Sequence, residues 1–267
     1  MSSPDEWLSL VRWRNAALAA AGVLAAAWWS AGEITGRVIA VALAAIALTA
    51  VANTTNDVAD IEIDRVAHPH RPLPSGAISA GAAKRFAIAA SVMAVTFAAF
   101  GGAGLILVTI AVLAVMWLYS ARLKRHGIPG NIAVAVLGSL PFLYGTWAVD
   151  EMEKGIVLVM AAAPLHFARE VAKDIEDAAA DAGTRRTVPV ASGDGMARTA
   201  VVGGVIAFAI AIALLAPDYP LFATLLVPSI FVAGYAAQRL YHGGAGAPAL
   251  MKAAMVLAIA ALVLSGG

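Results

Sequence analysis

Nine apolar runs divide the chain, each near the roughly 20 residues that an α-helix needs to cross the hydrocarbon of a bilayer. They cover approximately Asn15–Ser30, Gly36–Ala59, Lys84–Phe100, Ala103–Tyr119, Ile132–Val149, Gly155–Val171, Thr199–Ala216, Leu221–Leu240 and Pro248–Ser265. Composition excludes a soluble alternative. Hydrophobic residues make up 61% of the 267 and charged residues 13%, against about 25% charged in a soluble domain. So little polar surface cannot cover a globule in water, and a chain this apolar does not stay disordered. The expected fold is all-α: a polytopic membrane protein of nine transmembrane helices, one integral-membrane domain over residues 1–267. The third and fourth runs are separated only by Phe100-Gly101-Gly102-Ala103, an uncharged stretch read as a tight turn. Cysteine is absent, which excludes disulfides, thiolate catalysis and Cys-ligated metals.

Charge sets the expected orientation. Of the 18 Lys and Arg, all but Arg37 and Lys154 fall in the N-terminal segment or in the loops after spans two, four, six and eight. Positive residues stay on the cytoplasmic side, so the N-terminus is expected inside and the C-terminus outside the cytoplasmic membrane. The first run follows Arg12 and Arg14 without a cleavage site and reads as the first span, not a signal peptide. Nothing in a net charge of +1 suggests nucleic acid.

The acidic residues gather in two windows. One reads Asn56-Asp57-Val-Ala-Asp60-Ile-Glu62-Ile-Asp64, and the other Asp174-Ile-Glu176-Asp177-Ala-Ala-Ala-Asp181. Each contains D-x-x-D-x-x-x-D at the cytoplasmic end of a span, the second and the sixth. Steps of three and four keep side chains on one helical face, so each window is expected to aim three carboxylates together. Such a row repels itself unless a cation neutralises it, and hard oxygen ligands suit Mg²⁺ bound with substrate phosphates. Solvated helix ends would explain one such window. Two with identical spacing, four spans apart, point instead to a site, and to an internal repeat of spans 1–4 and 5–8.

Cations accompany both windows. Arg65 and then Arg71 follow the first, Arg71 within His68-Pro69-His70-Arg71-Pro72-Leu73-Pro74, where the prolines should stiffen the loop and keep Arg71 extended. Arg169, Lys173, Arg185 and Arg186 surround the second, and Tyr119 and Lys124 end span four. Carboxylates that hold metal, ringed by Arg and Lys, are what a diphosphate leaving group needs.

At these residues the sequence resembles the UbiA-type superfamily of intramembrane prenyltransferases. Asn56, Asp57, Asp60 and Asp64 match the first signature of that superfamily, and Asp174, Asp177 and Asp181 the second. The resemblance implies a nine-helix bundle with a cytoplasmic cap formed by the two motif loops. It also implies Mg²⁺-dependent transfer of a prenyl group from its diphosphate to an acceptor. Asp64-Arg65 with Arg71-Pro72-Leu73-Pro74-Ser75-Gly76, and Arg169-Glu170-Val-Ala-Lys173-Asp174-Ile-Glu176-Asp177, are similar to the archaeal ether-lipid branch. So are Arg12-x-x-Asn15, Gly130-Asn131, and Tyr119 with its lysine five residues on at Lys124. That branch transfers geranylgeranyl to geranylgeranylglyceryl phosphate.

From the resemblance, Asn56, Asp57, Asp60, Asp64, Asp174, Asp177 and Asp181 are the expected metal ligands. Asp60, Asp64, Asp177, Asp181, Lys124 and Tyr119 are expected to be catalytic. Arg12, Asn15, Arg65, Arg71, Lys124, Arg169, Lys173 and Asn131 are expected to bind substrate. The partners are a prenyl diphosphate donor, a lipid-phosphate or aromatic acceptor, and membrane lipid. An aromatic acceptor such as a hydroxybenzoate or quinone precursor remains open, as does an ion-coupled transporter. The transporter reading fits less well, because proton relays lie near mid-membrane and the span centres here are almost free of charge.

Overall fold

The computed structural model describes residues 3–121, 123, 127–181 and 187–266; the side chains of residues 121 and 179–181 are not described. Lys124, Arg122, Arg125, Arg185, Arg186 and the side chain of Asp181 therefore lie outside the described residues. Every regular element among the described residues is helical. Among the described residues, eight helices are long and apolar enough to cross a membrane, as in an integral membrane protein. The chain divides into two compact units, residues 1–24 with 34–123, and residues 25–33 with 124–267.

The first unit opens with α1 (Pro4–Val11), whose start is a capping box between Ser3 and Glu6 with proline in the first turn. It stops at Arg12, which adopts a left-handed backbone (φ 51°), and the chain turns into α2 (Trp13–Ala31). That helix has 19 residues and begins in the first unit and ends in the second. With Arg14 and Asn15 at one end, Trp28 and Trp29 at the other and alanine between, it is not one of the eight spanning helices.

Helix α3 (Gly36–Ala59) is the most buried of those eight, with 72% of its spanning window inside the protein. Its buried face is largely alanine and valine, which lets neighbouring backbones come close. The run Asn53-Thr54-Thr55-Asn56-Asp57 then supplies side chains that compete for backbone groups. The helix bends at Asp60 (φ −101°, ψ 4°) and resumes as α4 (Ile61–Ala67). The first acidic window is thus not the single straight helical face that its spacing suggests, because Asp57 and Asp64 sit on either side of a bend.

After α4 the proline-rich loop folds into consecutive turns. Arg71 N donates to His68 O, Ser75 N to Arg71 O, Gly76 N to Leu73 O and Ile78 N to Pro72 O. The loop around Arg71 is therefore a succession of turns. Leu73 and Ile78 are buried there with Leu10 of α1 and Ala83 in one small apolar cluster.

Helix α5 (Ala80–Ala98) is capped by Ser79 and buries Ala83, Ala87, Ala90, Ala94 and Ala98 in one stripe. A 3₁₀ turn (Ala99–Gly101) leads to Gly102 at φ +95°, a conformation that needs glycine, and α6 (Ala103–Ala121) follows. The third and fourth spans are therefore separate helices.

The second unit begins with the hairpin of α7 (Gly127–Trp147) and α8 (Met152–Asp181), each with an interior proline, Pro141 and Pro164. Interior proline is tolerated in membrane helices where neighbours satisfy the freed backbone. Short α9 (Val188–Ser192) precedes α10 (Asp194–Leu215). The next span is broken at Leu226 into α11 (Pro220–Leu225) and α12 (Val227–Tyr241), and α13 (Ala247–Ser265) closes the unit. Leu158, Leu165, Ala168, Val171 and Ala172 of α8 point into its core, with Val201 and Phe208 of α10 and Met251 of α13.

Candidate active site

In the first window, two residues one turn apart on α3 grip the corner between α1 and α2. Asn53 Nδ2 donates to Val11 O at 2.9 Å, and Arg12 Nη2 donates to Asp57 Oδ1 at 2.7 Å. The left-handed backbone of Arg12 turns the chain at this point, and Asp57 is almost wholly buried. Asn15 follows in the first turn of α2, its N–H bonded to Arg12 O at 2.7 Å.

Seven residues on, Asp64 is equally buried and accepts from Arg71 Nη1 at 2.8 Å. The guanidinium reaches it because the loop turns back through buried Pro72 and Leu73. Each of these contacts engages one carboxylate oxygen. Between them, Asp60 stands half-buried at the bend, its N–H bonded to Asn56 O. Ser120 Oγ donates to Thr55 Oγ1 at 3.2 Å, fixing the end of α6, and so Tyr119, beside the last turns of α3. Arg65 is turned outward, where it holds exposed Glu62 through both carboxylate oxygens (2.9 and 2.8 Å).

The second window lies on the last turns of α8. Asn131 of α7, 5% exposed, donates from Nδ2 to Asp174 Oδ2 at 2.9 Å. One turn earlier is a residue that motif spacing missed: Glu170, 7% exposed, 3.2 Å from Lys173 Nζ and 3.6 Å from Arg169 Nη1. Among the described residues, Arg169 Nε is buried without a hydrogen-bond partner. A further turn back, His166 lies against Gly138 of α7, where a Cβ would come within 2.7 Å of its Nδ1. At about 100° per residue, His166, Arg169, Glu170, Lys173, Asp174 and Asp177 share one arc of α8, opposite Leu165, Ala168 and Ala172. The i, i+4 series His166, Glu170, Asp174 was available in the sequence as a signal. Glu176, off that arc, accepts from Gly246 N–H at 2.6 Å and ties α8 to the turn before α13. Asp181 ends α8.

Among the described residues, no three His, Asp or Glu converge tightly enough to hold a metal by themselves. The donor chemistry nevertheless fits a hard divalent ion, since the window residues are carboxylate and amide oxygens and Mg²⁺ completes its shell with water and phosphate. Asp57, Asp64 and Asp174 are oriented by Arg12, Arg71 and Asn131, as ligands commonly are by a second layer of hydrogen bonds.

A helical membrane protein bearing two D-x-x-D-x-x-x-D helix ends with cation and amide partners has the make-up of an intramembrane prenyltransferase. The model of the UbiA prenyltransferase family matches residues 17–263, and the chain belongs to that family.

The chain is similar to the digeranylgeranylglyceryl phosphate synthase of Methanothermobacter thermautotrophicus, at 31% identity covering 98% of this chain and 86% of that one. It is similar to the synthase of the same name from Methanopyrus kandleri (34%; 79% and 77% covered) and from Halobacterium salinarum (36%; 81% and 80%). Among solved structures, one described as digeranylgeranylglyceryl phosphate synthase in membranes superposes with a TM-score of 0.79 at 22% identity, covering 98% and 97%. A UbiA homologue from Archaeoglobus fulgidus bound to GPP and Mg²⁺ superposes with a TM-score of 0.77 at 18% identity, covering 97% and 99%. These likenesses give the fold.

Proposed function

We propose that this prenyltransferase transfers a geranylgeranyl group from its diphosphate to geranylgeranylglyceryl phosphate, making an ether and releasing diphosphate. The observation that carries the reading is a pair of acidic helix ends whose first carboxylates are held by Arg12 and Asn131. The relatives named digeranylgeranylglyceryl phosphate synthase support this acceptor. The homologue bound to GPP and Mg²⁺ supports the donor and the metal.

Asn56, Asp57, Asp60 and Asp64 of the first window and Asp174, Asp177 and Asp181 of the second would hold the metal. When bound there, Mg²⁺ supplies positive charge to the diphosphate oxygens. Arg71 and Lys124 add charge where the diphosphate departs, which preorganises the site for the developing anion. Arg12 keeps Asp57 in place and Arg71 keeps Asp64 in place, so neither carboxylate reorganises during the reaction. The prenyl tail runs along apolar helix faces toward the hydrocarbon.

The reading includes nine crossings, with α2 as the first, the N-terminus and a cap of the two motif loops in the cytoplasm, and the C-terminus outside. The side preference of Lys and Arg supports that orientation. The test is purified protein with labelled geranylgeranyl diphosphate and each acceptor in turn. Prenylation of geranylgeranylglyceryl phosphate, abolished by chelating divalent metal, is expected. Efficient prenylation of an aromatic acid and none of the glyceryl phosphate would refute the acceptor assignment.

A further inference from the structure

The motif carboxylates account for the donor but leave two needs of the reaction unmet: a place for the acceptor's own phosphate and a group to take the proton from its hydroxyl. The geometry points to Arg169, Glu170 and Lys173 of α8 as that acceptor site, with the two cations taking the phosphate and Glu170 the proton. This inference rests on the proposed glyceryl phosphate acceptor.

Four observations converge on these three residues. Glu170 is a buried carboxylate inside a membrane span, 7% exposed, where a charge persists only for function or with a partner. Two cations lie beside it, Lys173 Nζ at 3.2 Å and Arg169 Nη1 at 3.6 Å. Arg169 is only partly satisfied: its contact to Glu170 exceeds hydrogen-bond length, and its buried Nε has no partner among the described residues. A guanidinium in that condition wants an oxyanion, which it would hold through two N–H groups.

The fourth observation is depth. Glu170 precedes Asp174 by one turn, which places it about 6 Å further into the membrane at 1.5 Å per residue. If the diphosphate sits at the motif aspartates and the prenyl chain runs inward, C1 lies at about that level. In a glyceryl phosphate the reacting hydroxyl and the phosphate are on adjacent carbons. An acceptor whose phosphate meets Arg169 and Lys173 therefore brings its hydroxyl beside Glu170.

The step balances without a further reactant. The C1–O bond to diphosphate breaks and diphosphate leaves with the electron pair. The acceptor oxygen bonds to C1, and its proton passes to a carboxylate oxygen of Glu170, then to water as the product leaves. An oxygen that has just been alkylated is a far stronger acid than any carboxylic acid, so a carboxylate flanked by two cations suffices to receive its proton.

The test uses the full-length protein in lipid nanodiscs with labelled geranylgeranyl diphosphate and two acceptors, geranylgeranylglyceryl phosphate and the phosphate-free geranylgeranylglycerol. Glu170→Gln should lower kcat by about 100-fold or more, the usual contribution of a positioned base, with donor KM unchanged, and Glu170→Asp should recover part of it. Arg169→Ala should raise KM for the phosphorylated acceptor by roughly 10- to 100-fold, the range for a lost charged hydrogen bond, and leave KM for geranylgeranylglycerol unchanged. Wild-type kcat in Glu170→Gln, or an Arg169→Ala effect equal on both acceptors, overturns the inference. Should Glu170→Gln misfold, seen as lost donor binding, the two-acceptor comparison in Arg169→Ala decides alone. A wild-type enzyme that ignores both glyceryl acceptors refutes the proposed function itself, before any variant is read.

Discussion

Asn131→Ala is the substitution that most directly tests whether the second window is held in place from α7. The amide is 5% exposed and donates to Asp174 Oδ2 at 2.9 Å. A hydrogen bond to a charged group contributes about 1.5–3 kcal/mol, and Asp174 has further contacts, so the lower end applies. A loss of about 1.5 kcal/mol is roughly a tenfold change in an equilibrium, within the 10- to 100-fold typical when a residue orienting a metal ligand is removed. The assay is initial rate against Mg²⁺ concentration at saturating donor and acceptor. The midpoint should move upward about tenfold in Asn131→Ala, while rate at saturating Mg²⁺ recovers most of its wild-type value. Asn131→Leu, which refills the volume without the donor, should behave the same way. An unchanged midpoint in both variants, with the protein folded, would show that Asp174 takes no part in binding metal or needs no help to do so.

Removing one carboxylate from either window, by Asp60→Ala or Asp177→Ala, should lower kcat by about 100-fold or more, on the scale of losing one preorganised electrostatic group. Glu62→Ala should leave it near wild type, because Glu62 faces solvent and pairs with exposed Arg65; the comparison is read as turnover at matched expression. Because cysteine is absent, single cysteines at exposed Ser75 and Glu153 report topology with an impermeant maleimide in intact cells. Glu153→Cys should label and Ser75→Cys should not, and the reverse pattern would invert the orientation. Leu10→Ala, at a side chain 0% exposed, should cost about 2–5 kcal/mol of local packing and lower activity although Leu10 touches no substrate. Activity equal to wild type would show that the cluster beneath the first window does not matter to it.

The sequence announced its spans through length and hydropathy, and even the uncharged turn at Phe100–Ala103 could be read, since glycine there meets a positive φ at Gly102. It did not announce α1, α4, α9 or α11, which are too short for an apolar run to mark. Nor did it show the bend at Asp60. Periodicity reports which face a residue would occupy if the helix stayed straight, and Asn53 to Asp60 is a stretch whose side chains oppose that. The motif aspartates were legible because identical spacing recurs four spans apart. Their partners were not, because Arg12 reaches Asp57 across 45 residues and Asn131 reaches Asp174 across 43. Arg65 and Arg71 look alike in sequence, yet one pairs with exposed Glu62 and the other with buried Asp64, a difference made by how Leu73 and Ile78 bury the loop.

The two windows share a spacing but differ in the charge that answers it, and that difference bears on their roles. In the first, two carboxylates are each held by a guanidinium, and both arginines follow from the same apolar cluster, Leu10 lying two residues before Arg12 and Leu73 two after Arg71. Folding that cluster therefore sets both pairs at once. In the second, the first aspartate is held by a neutral amide, and the cations Arg169 and Lys173 are gathered instead on Glu170, one turn deeper. Under the proposed function, an anionic acceptor is the partner suited to these two cations. An aromatic acceptor without a phosphate would leave the buried Nε of Arg169 unanswered, at a cost that binding such a molecule does nothing to offset.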